Sequence, residues 1–296
     1  MLSSRAQHIC YTRKCCKKSI TKHLEYFWVP YIRGQQTLWV PLSLLAIKRL
    51  QNSKEKELNP VLQKLFQVVP NTEWTWAPDP ETCRRCAVVG NSGHLLHSNL
   101  GQLISSHDYV FRMNHGKTKG YEADVGNKTT HHIMYPESAQ DLDKGVHLVL
   151  LPFKVQDLHW LASALSTGEI KRTYTRVKTK IKTDRDKIVV INPSFFHYVY
   201  LNWTNSQGKY PSTGLLAIML AVHMCDQVSV FGYGADKLGN WHHYWENNTF
   251  GGAFRKTGVH NADNEMEIIQ KLHDIKKITF YKEQPKKMQR SVRHYA

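Results

Sequence analysis

Acidic side chains are scarce in this 296-residue chain. The 24 Asp+Glu stand against 40 Lys+Arg, a formal charge of +16. That imbalance turns attention to anionic partners: nucleic acid, a membrane surface, a nucleotide or an acidic glycan. Part of the excess lies at the start, where residues 1–59 hold 11 basic and 3 acidic side chains, as a solvated tail would. Long apolar runs are also missing. Leu38–Ile47, the best candidate, reaches about half of a membrane span and contains Pro41. The polar, basic start has no signal-peptide pattern. There is no Walker A loop, no complete G-x-G-x-x-G and no G-x-S-x-G. The usual sequence grounds for a P-loop NTPase, a dinucleotide fold or an α/β serine hydrolase are therefore lacking. Internal repeats and low-complexity segments are absent too.

Cysteine is sparse but even in number: Cys10, Cys15, Cys16, Cys83, Cys86 and Cys225. Cys83-x-x-Cys86 with Cys15-Cys16 can be read as a zinc site, yet no His or further Cys lies at a useful spacing. Disulfides fit better, because three Asn-x-Ser/Thr sequons, at Asn127, Asn202 and Asn247, point the same way, toward the secretory pathway.

The rest of the composition, 41% hydrophobic and 22% charged, is that of a globular protein. Residues 1–57 are basic and aromatic without a clear period and read as a stem or linker. Leu58–Val69 has apolar residues at helical spacing, and Asn71–Thr82 reads as a loop. Short apolar runs then follow at Ala87–Val89, Tyr109–Arg112, His131–Met134, Val146–Leu151, Lys187–Ile191, Val228–Phe231 and Lys277–Tyr281. Helical patterns lie among them at Val155–Leu165, Phe195–Trp203, Leu215–His223 and Glu265–His273. Seven short strands alternating with helices predict an α/β fold with a mostly parallel sheet covered on both faces.

Chemistry concentrates between Gly232 and Glu265. An apolar strand stops at Gly232 and opens into a glycine-broken stretch holding His242, His243 and His260. Parallel α/β folds place their sites in loops at the carboxyl ends of strands, and imidazoles are the usual proton-transfer groups near neutral pH. Val88-Val-Gly-Asn-Ser-Gly93 is a strand entering a glycine turn, where a backbone can approach a phosphate or ribose. Ser212 and Thr213 precede an apolar helix, as caps or as anion ligands. Asp141-Leu-Asp143 and Asp184-Arg-Asp186 have the D-x-D form that holds a metal in many nucleotide-sugar enzymes, but each sits beside Lys or Arg. Adjacent His242 and His243 on an extended segment would point to opposite sides and not share a metal.

In order along the chain, CRRCAVVGNSG, SHDYVFRMN and YEADVGNKTTHHIMYPES closely resemble the large sialylmotif of animal sialyltransferases. Tyr210–Gly234, YPSTGLLAIMLAVHMCDQVSVFGYG, resembles the small sialylmotif, and His242-His243-Tyr244-Trp245 the third motif. His260 with Glu265, a His-x4-Glu spacing, resembles the very small motif. NWHHYWENN and AFRKTGVH are similar to the β-galactoside α-2,3-sialyltransferases that act on Gal-β-1,3-GalNAc. The resemblance covers roughly Leu58 to Tyr281.

It implies a GT-A-like sialyltransferase variant with a seven-stranded sheet between helices. It also implies a catalytic domain over 58–282, a stem over 1–57 and a basic tail over 283–296. The implied reaction is an inverting transfer from CMP-sialic acid to the 3-hydroxyl of terminal galactose in Gal-β-1,3-GalNAc acceptors of glycoproteins or glycolipids. No cofactor or metal is implied. Asn91, Ser92 and Asn114 match the nucleotide-holding positions. Ser138, Ser212, Thr213, Gly214, Gly234, Trp241 and His242 match the donor pocket, and Tyr174 and Tyr210 match tyrosines on the phosphate. His260 matches the general base and His243 the group facing the leaving phosphate. Cys86 is expected to pair with Cys225, and Cys83 with Cys15 or Cys16. The family's members are type II Golgi membrane proteins, although no anchor is seen in this sequence, and the stem's cysteine spacing, Cys10-x4-Cys15-Cys16, departs from theirs. A nucleic-acid or polyanion binder is the competing reading of the charge, but no basic-aromatic module supports it. A silent lectin-like relative is a third, disfavoured by the presence of both His243 and His260.

Overall fold

The computed structural model describes residues 55–69, 83–235, 240–247 and 258–282. Helix α1 (Glu55–Val68) precedes strand β1 (Arg85–Val89). Short helix α2 (Gly101–Ser105), β2 (Tyr109–Met113), short helix α3 (Glu122–Val125) and β3 (His131–Met134) follow. Next come β4 (His147–Leu150), α4 (Val155–Ala164), β5 (Ile188–Val190), α5 (Pro193–Asn202) and α6 (Thr213–Met224). The last elements are β6 (Gln227–Phe231), α7 (Ala262–Asp274) and β7 (Thr279–Tyr281). The seven strands form one sheet in the order β5-β4-β3-β2-β1-β6-β7. Every pairing in it is parallel. All seven predicted strands are present, with ends shifted by a residue or two. The short helices α2 and α3 go beyond the sequence reading, because a single helical turn carries too little periodicity to register.

Both faces of the sheet are buried, which is why its strands read as unbroken apolar runs. On β1, Cys86 and Val88 join the larger core under α5, α6 and α7, while Ala87 and Val89 face Leu95, Ile104 and Val110 on the other side. A second cluster packs α1 and α4 against β3, β4 and β5 around Trp160, Leu65 and Leu150. Helix α6 is buried nearly all round, nine of its twelve residues being inaccessible, and lies across the middle of the sheet. Its C-cap residue Cys225 is disulfide-bonded to Cys86 of β1. Cys83 is also disulfide-bonded, and its expected partners Cys15 and Cys16 lie outside the described residues. Among the described residues no helix is long and apolar enough to cross a membrane.

From β1 the chain builds outward through β2, β3 and β4 to β5, then crosses back to place β6 on the other side of β1. That reversal opens a crevice at the carboxyl ends of β1 and β6, where open α/β sheets bind ligands.

Candidate active site

The crevice is knitted from three loops. Gly90 N–H donates to the Phe231 carbonyl (2.8 Å) and Ser92 N–H to the Gly232 carbonyl (3.0 Å), so the exits of β1 and β6 run on as one ribbon. Two glycines make this approach possible. A Cβ on Gly90 would lie 2.3 Å from the Gly232 carbonyl oxygen, and Gly232 has φ +68, which side chains rarely adopt. The third loop is tied on by Gly93 N–H to the His242 carbonyl (2.8 Å) and Tyr244 N–H to the Asn91 carbonyl (3.1 Å). The Ser92 hydroxyl donates to the Gly234 carbonyl (2.8 Å).

The result is a cleft of about 480 Å³ lined by Asn91, Ser92, Ser212, Gly214, Gly234, Trp241, His242, His243 and His260, among others. Nine of the residues singled out from the sequence thus meet in one cavity, although they span 170 positions from Asn91 to His260. Both His242 and His243 line it, whereas strict strand alternation would have turned one away.

The N-terminus of α6 points its first turn at this cleft. Ser212 is the N-cap, its hydroxyl accepting from Leu215 N–H (3.1 Å). The Glu265 carboxylate, from the first turn of α7, accepts from Ser212 N–H (2.8 Å) and from the Ser212 hydroxyl. Burial pushes Glu265 up to about 6, partly offset by those two hydrogen bonds. Glu265 therefore locks the cap of one helix to the start of the next. The His-x4-Glu spacing carried this signal without revealing its partner.

His260 Nδ1 lies 2.8 Å from the Tyr210 carbonyl. A carbonyl only accepts, so Nδ1 bears the proton and the neutral ring carries its lone pair on Nε2. The ring packs edge-on against Tyr210, centroids 4.9 Å apart. Burial lowers its pKa from the ordinary 6.5, with the Tyr210 hydrogen bond opposing. Burial thus favours the neutral form of the ring. His243 is held differently: Nδ1 is 2.9 Å from Glu246 Oε1, and the ring stacks on Trp245 at 4.5 Å. The His243 side chain holds the Glu246 carboxyl below its usual range.

Trp241 Nε1, His242 Nδ1 and Asn114 Oδ1 are buried and have no hydrogen-bond partner among the described residues. A buried donor or acceptor left unmade costs about 1–3 kcal/mol. Two of these three atoms belong to residues of the cleft wall.

The remaining sequence candidates sit around the cleft and not in its lining. Asn114 follows β2 at φ +53, its carbonyl 2.7 Å from His132 Nε2. Thr213 opens α6 beside Ser212. The Ser138 hydroxyl is spent inside its own turn, on Tyr135 N–H and carbonyl, each 3.2 Å away. Tyr210 reaches the site through His260. Tyr174 is 62% exposed on a loop beyond it, with Lys154 Nζ 4.0 Å above its ring. The D-x-D candidates are engaged elsewhere: Asp141 with Lys178 Nζ (2.7 Å) and Lys182 N–H (2.7 Å), Asp184 with Gly145 N–H (2.7 Å). Among the described residues no three His, Cys, Asp or Glu gather as metal ligands. The sequence reading missed Tyr233, which packs into the cleft and donates to the Gly214 carbonyl (3.0 Å). It also missed the apolar wall of Met113, Met266 and Ile269, which carries no chemical signature.

A family model described as "Glycosyltransferase family 29 (sialyltransferase)" matches residues 31–277. The chain belongs to this family. Its sheet and cleft are accordingly those of a sialyltransferase fold. It is similar to a solved structure titled "Crystal Structure of a Mammalian Sialyltransferase" with TM-score 0.72 and 45% identity, covering 82% of this chain and 85% of that one. A second is titled as the complex of such an enzyme with Gal-beta-1-3GalNAc-ortho-nitrophenol, at the same TM-score and identity, covering 82% of this chain and 86% of that one. Among curated relatives, the mouse CMP-N-acetylneuraminate-beta-galactosamide-alpha-2,3-sialyltransferase 2 is 54% identical over 229 residues, 77% of this chain and 65% of its own length. The human enzyme numbered 1 of the same name is 51% identical over 236 residues, 79% of this chain and 69% of that one. The chain thus spans about 65% of the length of the mouse relative.

Proposed function

We propose that this protein transfers sialic acid from CMP-sialic acid to the 3-hydroxyl of terminal galactose in Gal-β-1,3-GalNAc glycans, with inversion at the anomeric carbon. The observation that carries the reading is the meeting, in one cleft, of a buried imidazole that bears its proton on Nδ1 with the capped N-terminus of α6 and the glycine turn after β1. The names of the relatives and the acceptor in the solved complex support the same donor and acceptor.

In this reaction the galactose hydroxyl oxygen bonds to the anomeric carbon as the bond to the phosphate oxygen breaks. The electron pair leaves with CMP, and the hydroxyl proton passes to Nε2 of His260. A sugar hydroxyl is a poor nucleophile, so the base matters most. The leaving phosphate gathers charge in the transition state. His243, held by Glu246 and Trp245, is assigned to meet it, with the phenols of Tyr174 and Tyr210. Asn91, Ser92 and Asn114 are assigned to the nucleotide. Ser138, Ser212, Thr213, Gly214, Gly234, Trp241 and His242 are assigned to the rest of the donor, with the α6 N-terminus favouring its negative charge. We place the enzyme in the Golgi lumen, a compartment the buried disulfide suits.

The testing experiment compares transfer to Gal-β-1,3-GalNAc and to Gal-β-1,4-GlcNAc glycosides. Strong preference for the first is expected, and equal use or no transfer overturns the reading. In the same assay, activity is expected to survive EDTA, because the leaving charge is met by His243 and two phenols and because Asp141 is already paired with Lys178. Activity lost to EDTA and restored by manganese would make a metal ion part of the site.

His243→Ala is expected to lower kcat by roughly 10²- to 10³-fold, as loss of one transition-state partner does. Glu246→Gln, which keeps a side chain beside Nδ1, is expected to cost less. A change confined to acceptor KM would remove His243 from its assigned place.

A further inference from the structure

Much of the positive charge stays outside the cleft. Residues 171–187 hold eight Lys/Arg and two Asp. Residues 171–177 fold into a tight hairpin, closed by Thr173 N–H to the Thr175 carbonyl (3.0 Å) and Val177 N–H to the Lys171 carbonyl (3.1 Å). Its tip is tied to the turn that follows β3: Thr173 donates to Glu137, and Lys154, 3.3 Å from that carboxylate, lies over the Tyr174 ring. Tyr174 lies within electrostatic reach of Tyr210, whose carbonyl accepts from His260.

The arms of this hairpin are unusual. Arg172 and Arg176 are bridged directly opposite each other, and both are exposed, as is Lys171. Like charges facing across an antiparallel pair are destabilising. Among the described residues no carboxylate lies within salt-bridge distance of either arginine or of Lys171. The nearby acids are committed: Glu169 to Lys64, Asp141 to Lys178, and Glu137 to Lys154. Among the described residues, then, this facing cation pair has no anion of its own.

We propose that the Lys171–Arg172–Arg176 hairpin binds acidic residues of the polypeptide that carries the acceptor glycan. This inference rests on the transferase reading, since it places the carrier beside the base that receives the acceptor proton. A polypeptide is favoured over an anionic membrane because the cations are gathered on one seven-residue hairpin beside the catalytic margin, with Tyr174 as the one exposed large hydrophobic residue on it. A glycan seated at His260 brings its carrier's flanking residues to that margin, whereas a bilayer would have to lie over the cleft mouth.

The test uses two synthetic glycopeptides bearing Gal-β-1,3-GalNAc on one threonine, flanked by Asp in one and Asn in the other, alongside the free disaccharide glycoside. Wild-type kcat/KM is expected to favour the Asp peptide by about tenfold at low salt, as a few exposed ion pairs allow, and to lose that preference as salt is raised. Lys171→Gln/Arg176→Gln should cut the preference to the small remainder that Arg172 carries and leave the disaccharide unchanged. Arg172 is kept in this variant because its guanidinium reaches the Tyr174 carbonyl (3.4 Å). Arg176→Glu, which leaves Lys171 and Arg172 against one carboxylate, should weaken the preference for the Asp peptide further than Arg176→Gln does. Fluorescence anisotropy of the same labelled peptides decides the matter without turnover: tighter binding of the Asp peptide to wild type than to the double variant is required. Equal use and equal binding of the two peptides overturn the inference. So does hairpin-dependent binding to phosphatidylserine vesicles with no peptide preference, which would assign the patch to a membrane. Failure of transfer to the free disaccharide by wild type would instead strike the transferase reading.

Discussion

Replacing His260 with alanine is expected to lower transfer by about 10²–10⁴-fold while leaving CMP binding near its wild-type level. The reason is a division of labour in the cleft. His260 is anchored through Nδ1 to the Tyr210 carbonyl, which leaves Nε2 as the basic nitrogen. The nucleotide is assigned to Asn91, Ser92 and Asn114, on the exits of β1 and β2. On the proposed assignment, removing the imidazole takes away the proton acceptor and spares the residues assigned to the nucleotide. A pH profile sharpens the test. Only neutral His260 is a base, so activity should fall as pH drops through its pKa, which burial sets below the ordinary 6.5. Glu265, pushed up to about 6, titrates in the same region and must be separated from it. In Glu265→Gln the acidic limb should persist if His260 is its source. Near-normal turnover in His260→Ala, or a limb that disappears with Glu265 alone, would remove His260 from the role of base.

Breaking the Cys86–Cys225 bridge is expected to cost about 5 kcal/mol in the chain-entropy model, as an upper estimate. The bridge closes a loop with a sequence separation of 139 residues. That cost is comparable with the whole net stability of many domains, about 5–15 kcal/mol. The consequence reaches the site because the bridge ties β1 to the C-terminal end of α6. The other ends of these same elements deliver Asn91 and Ser92, and Ser212 and Gly214, to the cleft. Cys86→Ala/Cys225→Ala should lower the urea midpoint sharply and weaken donor binding in parallel. Alanine avoids leaving buried hydroxyls, since Cys86 is fully inaccessible and Cys225 nearly so. Peptide mapping of non-reduced protein should return a Cys86–Cys225 linked peptide. An unchanged midpoint, or either thiol free in active protein, would refute the pairing.

Much of the fold was legible because the sheet is buried on both faces. Such strands must be short, apolar and bounded by turn residues, and that pattern survives in the sequence at Ala87–Val89 and Val228–Phe231 without knowledge of neighbours. Helix α6 read clearly for the same reason, being apolar on every side. The one-turn helices α2 and α3 did not, since neither offers a repeat to detect. The site was legible in kind: glycine turns after strands, a capped helix start and three histidines are local signals of chemistry.

The sequence by itself determined the α/β class and the chemical types at the site, because periodicity, glycine turns and ordered motifs are properties of neighbours along the chain. Only the tertiary structure decided which of these groups meet. His260 and Tyr210 are fifty residues apart, and their 2.8 Å contact settles which ring nitrogen holds the proton. Glu265 and Ser212 are joined across fifty-three residues, and Asp141 is claimed by Lys178 across thirty-seven. Tautomer, burial and pairing depend on what lies within a few ångströms in space, and a parallel sheet, whose connections always cross over, brings together residues far apart in sequence.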